Sequence, residues 1–160
     1  MVSISACKNT KMSRLNLPNF EIKSKEIAGK AYIFDILRQK YVVLTPEEWV
    51  RQHFVHYLIE HLDYPQGLMA NEVELQAGEK RMRCDTVVYD RDLRPRMIIE
   101  YKKPDIPLTE KVFNQVVSYN ILLHVEYLIV SNGIQHICCK IDYDKQSYEF
   151  LPDIPKLVID

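Results

Sequence analysis

Residues 98–103 read Ile98-Ile99-Glu100-Tyr101-Lys102-Lys103 (IIEYKK), and Pro104 follows at once. Branched apolar residues fit a pleated, half-buried strand, whereas proline lacks the amide that a ladder needs. Strand side chains alternate between faces, so Glu100 and Lys102 share one face while Ile99, Tyr101 and Lys103 share the other. A carboxylate and an ammonium thus emerge side by side where the strand runs out. Such a pair is either an exposed ion pair of little energetic weight or half of a metal-dependent active site.

Working outward, two more strands precede this one. Residues 69–76 alternate, a turn falls at 77–79, residues 83–89 contain CDTVVY, and a second turn at 90–94 leads into 96–102. Two short turns in succession point to an antiparallel meander. Upstream, Thr45-Pro46-Glu47-Glu48 has the form of a helix start: Thr as N-cap, Pro at the first position, acids in the first turn. Glu48 also stands where a capping box places its acid. Val50, Phe54, Tyr57, Leu58 and His61 follow at helical spacing, so an amphipathic helix is expected to about Leu62. Downstream, Leu108-Thr109-Glu110 opens a second helix to about His124, with Val112, Phe113, Val116, Tyr119, Leu122 and Leu123 as its inner stripe. The apolar run 125–130 fits a strand buried on both faces, 135–142 a further strand, and 147–151 a last edge.

Residues 31–36 and 41–44 suggest a β-hairpin, and residues 1–30 show no sustained periodicity. The expected fold is α/β (α+β), a mixed sheet flanked by helices in the order α-β-β-β-α-β-β. An irregular arm at 1–30 would precede a single domain at 31–160, made of a hairpin (31–44), a core (45–142) and a C-terminal edge and tail (143–160).

Composition narrows the classes. The chain has 160 residues, 47% hydrophobic and 27% charged, enough for a core without disulfide staples. A net charge of −1 argues against coating nucleic acid by bulk charge but leaves room for a local basic strip. No run approaches a membrane span, and the polar start lacks the apolar stretch of a secretory leader. Cys7, Cys84, Cys138 and Cys139 form no CxxC, so free thiols and a cytoplasmic setting are expected. His53, His56, His61, His124 and His136 form no HExxH and read as structural or surface residues. No GxxxxGK[ST] is present.

The second acid of a metal site is Asp85. If the meander register places it beside Glu100, the two carboxylates repel when both are ionised and favour a divalent cation. Mg²⁺ is the hard ion that oxygen ligands prefer, and Mn²⁺ would substitute. The backbone carbonyl of residue 101 would complete the set, and Lys102 would hold a water or offset charge developing on phosphorus. These parts suit phosphodiester hydrolysis. The competing reading makes Asp85 a cap for backbone amides. Glu72 and Glu74 could add a metal ligand, but alternating charge on this strand reads first as a solvated face. Lys80, Arg81, Arg83, Arg91, Arg94, Arg96 and Lys103 are solvated loop charge unless they border the acidic site, where they would meet phosphates.

Asp85 followed by Glu100-Tyr101-Lys102 on sequential strands after a helix resembles the PD-(D/E)XK nuclease superfamily. TPEEWVRQHFVHYLIEHLDYP, RCDTVVYDRD, MIIEYKKPD and YLIVSNGIQHICCKID resemble the N-terminal nuclease domain of type I restriction enzyme R subunits, over about residues 31–142. The resemblance implies Mg²⁺-dependent cleavage of DNA, with Asp85 and Glu100 holding metal and Lys102 positioning water. It implies an acid from the first helix, Glu47 or Glu48, of which Glu47 shares a face with Val50, Phe54 and Leu58. It also implies a Q-x(3)-Y pair, Gln115 and Tyr119, that steadies the site or touches DNA alongside Lys103 and Arg83. Cys84 stands where the name-giving proline would be. R subunits continue into ATP-driven translocase domains, so partners would be DNA and a translocase or other restriction-system subunits. The alternatives are a non-catalytic DNA-binding or assembly module on the same scaffold, and a structural domain whose carboxylates merely cap turns.

Overall fold

The computed structural model describes residues 12–156, apart from the side chains of residues 119 and 121. Cys7 therefore lies outside the described residues. Two sheets are present among the described residues. The first has three antiparallel strands, β1 (Ser24–Ile27), β2 (Lys30–Asp35) and β3 (Lys40–Val43). The expected hairpin thus gains a third strand from the arm expected to be irregular. SKEI escapes a hydrophobic-pattern reading because three of its four residues are exposed and the strand lies on an edge.

After α1 (Pro46–His61) and a 3₁₀ turn at Gln66–Leu68 comes a six-stranded sheet. Its strands are β4 (Met69–Ala77), β5 (Lys80–Tyr89), β6 (Pro95–Tyr101), β7 (Tyr127–Ser131), β8 (His136–Asp142) and β9 (Ser147–Leu151), side by side in chain order. All neighbours run antiparallel except β6 and β7, which are parallel and joined through α2 (Glu110–Asn120) and a 3₁₀ turn at Ile121–Leu123. The sheet is mixed, as expected, and 147–151 is its last edge.

Each sheet face carries its own core. Val50, Phe54 and Leu58 of α1 pack with Val88, Met97, Ile99, Tyr101, Ile129 and Cys138. Phe113 and Val117 of α2 pack with Val87, Ile98, Leu128, Val130 and Cys139 on the other side. Alternation explains the split of Ile98 from Ile99 and of Cys138 from Cys139. The inner stripe of α2 differs from expectation: Phe113, Val117 and Asn120 are buried, while Leu122 is 49% exposed. The expected place of Tyr119 in that stripe falls on a side chain outside the described residues.

The first half of α1 is buried nearly all round, from Glu48 to Val55, rather than amphipathic. Its would-be outer face is covered by the arm and the small sheet. Trp49 Nε1 donates to the Ser13 carbonyl (3.0 Å), Phe20 stacks on His56 with ring centroids 4.0 Å apart, and Arg38 reaches Glu48. Thr45 caps the helix, its hydroxyl accepting from the Glu48 amide at 3.0 Å. The capping box is only half formed, because the Glu48 carboxylate is engaged with Arg38, Arg51 and Gln52 instead.

Candidate active site

The β5–β6 register pairs Thr86 with Ile99. One step further would set Asp85 opposite Glu100, but the ladder stops at Thr86. Instead, the Tyr101 amide donates to Asp85 Oδ2 at 2.9 Å, which ties that carboxylate to the end of β6. Asp85 thus does cap a backbone amide, as in the competing reading, and its charge also acts on Glu47 and Glu100. It is the sixth residue of the ten-residue β5, which begins three residues before the expected 83–89.

Glu47, Glu100, Lys102 and Gln115 line one cavity of about 540 Å³, together with Lys103 and Asn120. Glu100 reaches it from β6 and Lys102 from just past the end of the strand, while Ile99 and Tyr101 join the core. Lys103 departs from the alternation because β6 ends at Tyr101. Glu47 arrives from the first turn of α1, which distinguishes it from Glu48, whose oxygens are already occupied.

The surface ion pair considered for Glu100 and Lys102 does not form among the described residues. Glu100 Oε1 is sealed from solvent without a hydrogen-bond partner. Burial, and next the charge of Asp85, push the Glu100 carboxyl up to about 9. Burial and Asp85 raise Glu47 as well. Asn120 Oδ1, on the α2 side of the cavity, is a second buried oxygen with no donor. Acceptor oxygens without donors, among carboxylates that oppose one another's charge, have the chemistry of a hard-cation site. Among the described residues no three His, Cys, Asp or Glu side chains converge tightly enough to hold an ion by themselves. Asp85 and Glu100 would supply the side-chain ligands, leaving positions for water and substrate as Mg²⁺ prefers.

Arg51 is what the sequence reading missed. It is 3% exposed. Its Nη1 donates to the Asp85 carbonyl (3.0 Å), its Nη2 to Glu72 Oε1 (2.5 Å), and its Nε lies 3.4 Å from Glu48 Oε2. One guanidinium therefore joins α1 to β4 and β5 beside the acids. Glu72 accepts from Arg83 as well, at 2.5 Å, so it is an ion-pair partner rather than a solvated residue. Its backbone is left-handed, φ +56°, and the ladder pairs Asn71 with Thr86 and Val73 with Cys84 but skips Glu72 and Asp85. The strand faces exchange there. Asn71 and Thr86 join a polar network with Asp35 and Tyr101, whereas Val73 and Cys84 pack on the α2 side.

The other basic residues are dispersed. Arg83 is 74% exposed and paired with Glu72, Arg94 pairs with Asp90 and Asp92, and Arg96 with Glu126. His53 Nδ1 donates to the Trp49 carbonyl of its own helix (2.8 Å), and His136 bonds Ser131, as structural histidines do.

Residues 46–155 match the family described as the type I restriction enzyme R protein N terminus (HSDR_N). The chain belongs to this family. The HSDR_N match begins at the first residue of α1, so it contains Glu47, Asp85, Glu100, Lys102 and Gln115 and leaves the three-stranded sheet outside. Among solved structures, a chain described as a fragment of an HsdR subunit of a type I restriction enzyme from Vibrio vulnificus YJ016 is similar, at 18% identity and a TM-score of 0.48. The likeness covers 71% of this chain and 24% of that one. No curated protein matches.

Proposed function

We propose that this HSDR_N-family chain is a PD-(D/E)XK-type nuclease domain that hydrolyses DNA phosphodiesters with Mg²⁺, for which Mn²⁺ would substitute. The observation that carries the reading is the cavity shared by Glu47, Glu100 and Lys102, with Asp85, outside its lining, fastened to the Tyr101 amide and near enough for its charge to raise both Glu47 and Glu100. When bound, the divalent ion supplies Lewis acidity to the phosphodiester and the attacking water. Asp85 and Glu100 would hold it, Glu100 as the carboxylate although burial favours its protonated form. Lys102 stands ready to orient water and to offset charge on the phosphoryl oxygens. Glu47 faces the same space and extends the shell of acceptors. Gln115, exposed on α2, offers an amide to the substrate backbone. ATP-dependent translocase domains or other restriction-system subunits would be the partners. The free thiols of Cys84, Cys138 and Cys139 accord with a cytoplasmic setting, and no helix among the described residues is long and apolar enough to cross a membrane.

The experiment is a plasmid-nicking assay with Mg²⁺ and with Mn²⁺ on the wild type, Asp85→Ala, Glu100→Gln and Lys102→Ala, with circular dichroism on each. Nicking by the wild type and loss in all three folded variants is expected. Undiminished nicking in any one would remove that residue from the mechanism. DNA binding without nicking in the wild type would favour the non-catalytic module.

A further inference from the structure

Beside the acidic cavity lies a larger groove, of about 950 Å³, walled by the β4–β5 hairpin and by α2. Lys80 and Arg81 line it from the hairpin, and Lys111, Asn114, Gln115 and Ser118 from the helix. Lys111, Gln115 and Ser118 lie four and three residues apart, hence on one helical stripe. All six side chains belong to exposed residues. Arg81 makes only a long, exposed contact with Glu74 (3.5 Å), a pair of little weight. Among the described residues Lys80 and Lys111 make no ion pair. Glu110 is the single acid in the lining, so three cations face one carboxylate in a chain whose net charge is −1.

Gln115 lines both cavities, which makes the groove the immediate neighbour of the acidic site. Ammonium, guanidinium, amide and hydroxyl groups along one track are the donor inventory that phosphate and sugar contacts use. The lining is apolar at Met82 and Leu122, which suits the uncharged face of a sugar.

We propose that this groove carries the sugar–phosphate backbone of the DNA that leaves the cleavage cavity, with Lys80, Arg81 and Lys111 on successive phosphates. The assignment rests on the nuclease reading and adds the direction of the substrate path: along α2 toward the β4–β5 turn, away from the Arg94 and Arg96 end of the sheet.

The test is binding of a short DNA duplex to the full chain without divalent metal, over about 50 to 200 mM salt, so that no cleavage intervenes. Each phosphate contact contributes about 0.9 to the log–log salt slope. Replacing Lys80, Arg81 and Lys111 together by alanine should make the slope shallower by about 2 to 3. Ser118→Glu, which keeps every cation but adds a negative charge to the track, should weaken binding as well. Unchanged urea midpoints verify that both variants fold. An unaltered slope in the triple variant overturns the groove and leaves the nuclease reading standing. A wild type that does not bind DNA at the lowest salt overturns both together. Polyglutamate competing as well as DNA at equal charge would reassign the groove to an acidic protein.

Discussion

Replacing Arg51 by methionine tests whether the buried guanidinium organises the site. Methionine keeps the volume and unbranched stem but removes every donor. Three groups lose a partner: Glu72 Oε1, the Asp85 carbonyl and the Glu48 carboxylate. Glu48 keeps Arg38 and Gln52, and Glu72 keeps the exposed Arg83, so the losses are unequal. Breaking one side of a buried ion pair costs about 3–5 kcal/mol, and an unpaired buried carbonyl about 1–3 kcal/mol. These contributions overlap, and a total of about 3–5 kcal/mol is expected, a large share of the roughly 5–15 kcal/mol that holds a domain together. Urea denaturation would show a lower midpoint at unchanged m. Glu72→Gln in the same background should recover part of the loss, with a coupling of at least about 1 kcal/mol. A shift in Arg51→Met below about 1 kcal/mol, or strict additivity with Glu72→Gln, would refute the argument.

Two further outcomes follow from particular groups. Glu100 holds its proton to about 9 in the fold, against an ordinary 4.5. The folded state therefore binds more protons than the unfolded state between these values, and stability falls as pH rises through that window. The slope is at most about 1.4 kcal/mol per pH unit. Glu100→Gln should flatten it in metal-free buffer, and parallel urea midpoints across the range would contradict the assignment. At Gly133, φ is +84° and an added Cβ would meet Leu15 Cδ2 at 2.7 Å and Val50 Cγ2 at 3.1 Å. Gly133→Ala should destabilise by about 1 kcal/mol or more and speed proteolysis near Leu15; an unchanged cleavage rate would show that the arm does not depend on this contact.

Local signals were legible where one short stretch suffices to set them. Thr45-Pro46-Glu47-Glu48 reads as a capped helix start, and the Thr45 cap is present. IIEYKK reads as a strand ending in polar side chains, and β6 does end there. What escaped depends on distant chain segments. Arg51 looks like an outward residue of an amphipathic helix, and only the arrival of Glu72 and Asp85 from other strands makes it internal. The left-handed Glu72 carries no glycine or asparagine to announce it. Nor does alternation foretell the exchange of faces at that point, since a period-2 pattern assumes an unbroken ladder. The split between Glu47 and Glu48 likewise required Arg38, supplied by the small sheet.

The proposed chemistry depends on a divalent cation held by Asp85 and Glu100. Calorimetric titration of Mg²⁺, and separately Mn²⁺, into the wild type and into folded Asp85→Ala tests it most directly. Binding in the wild type that vanishes in the variant is the predicted result. Absence of binding in the wild type, or equal binding in both, would contradict the account.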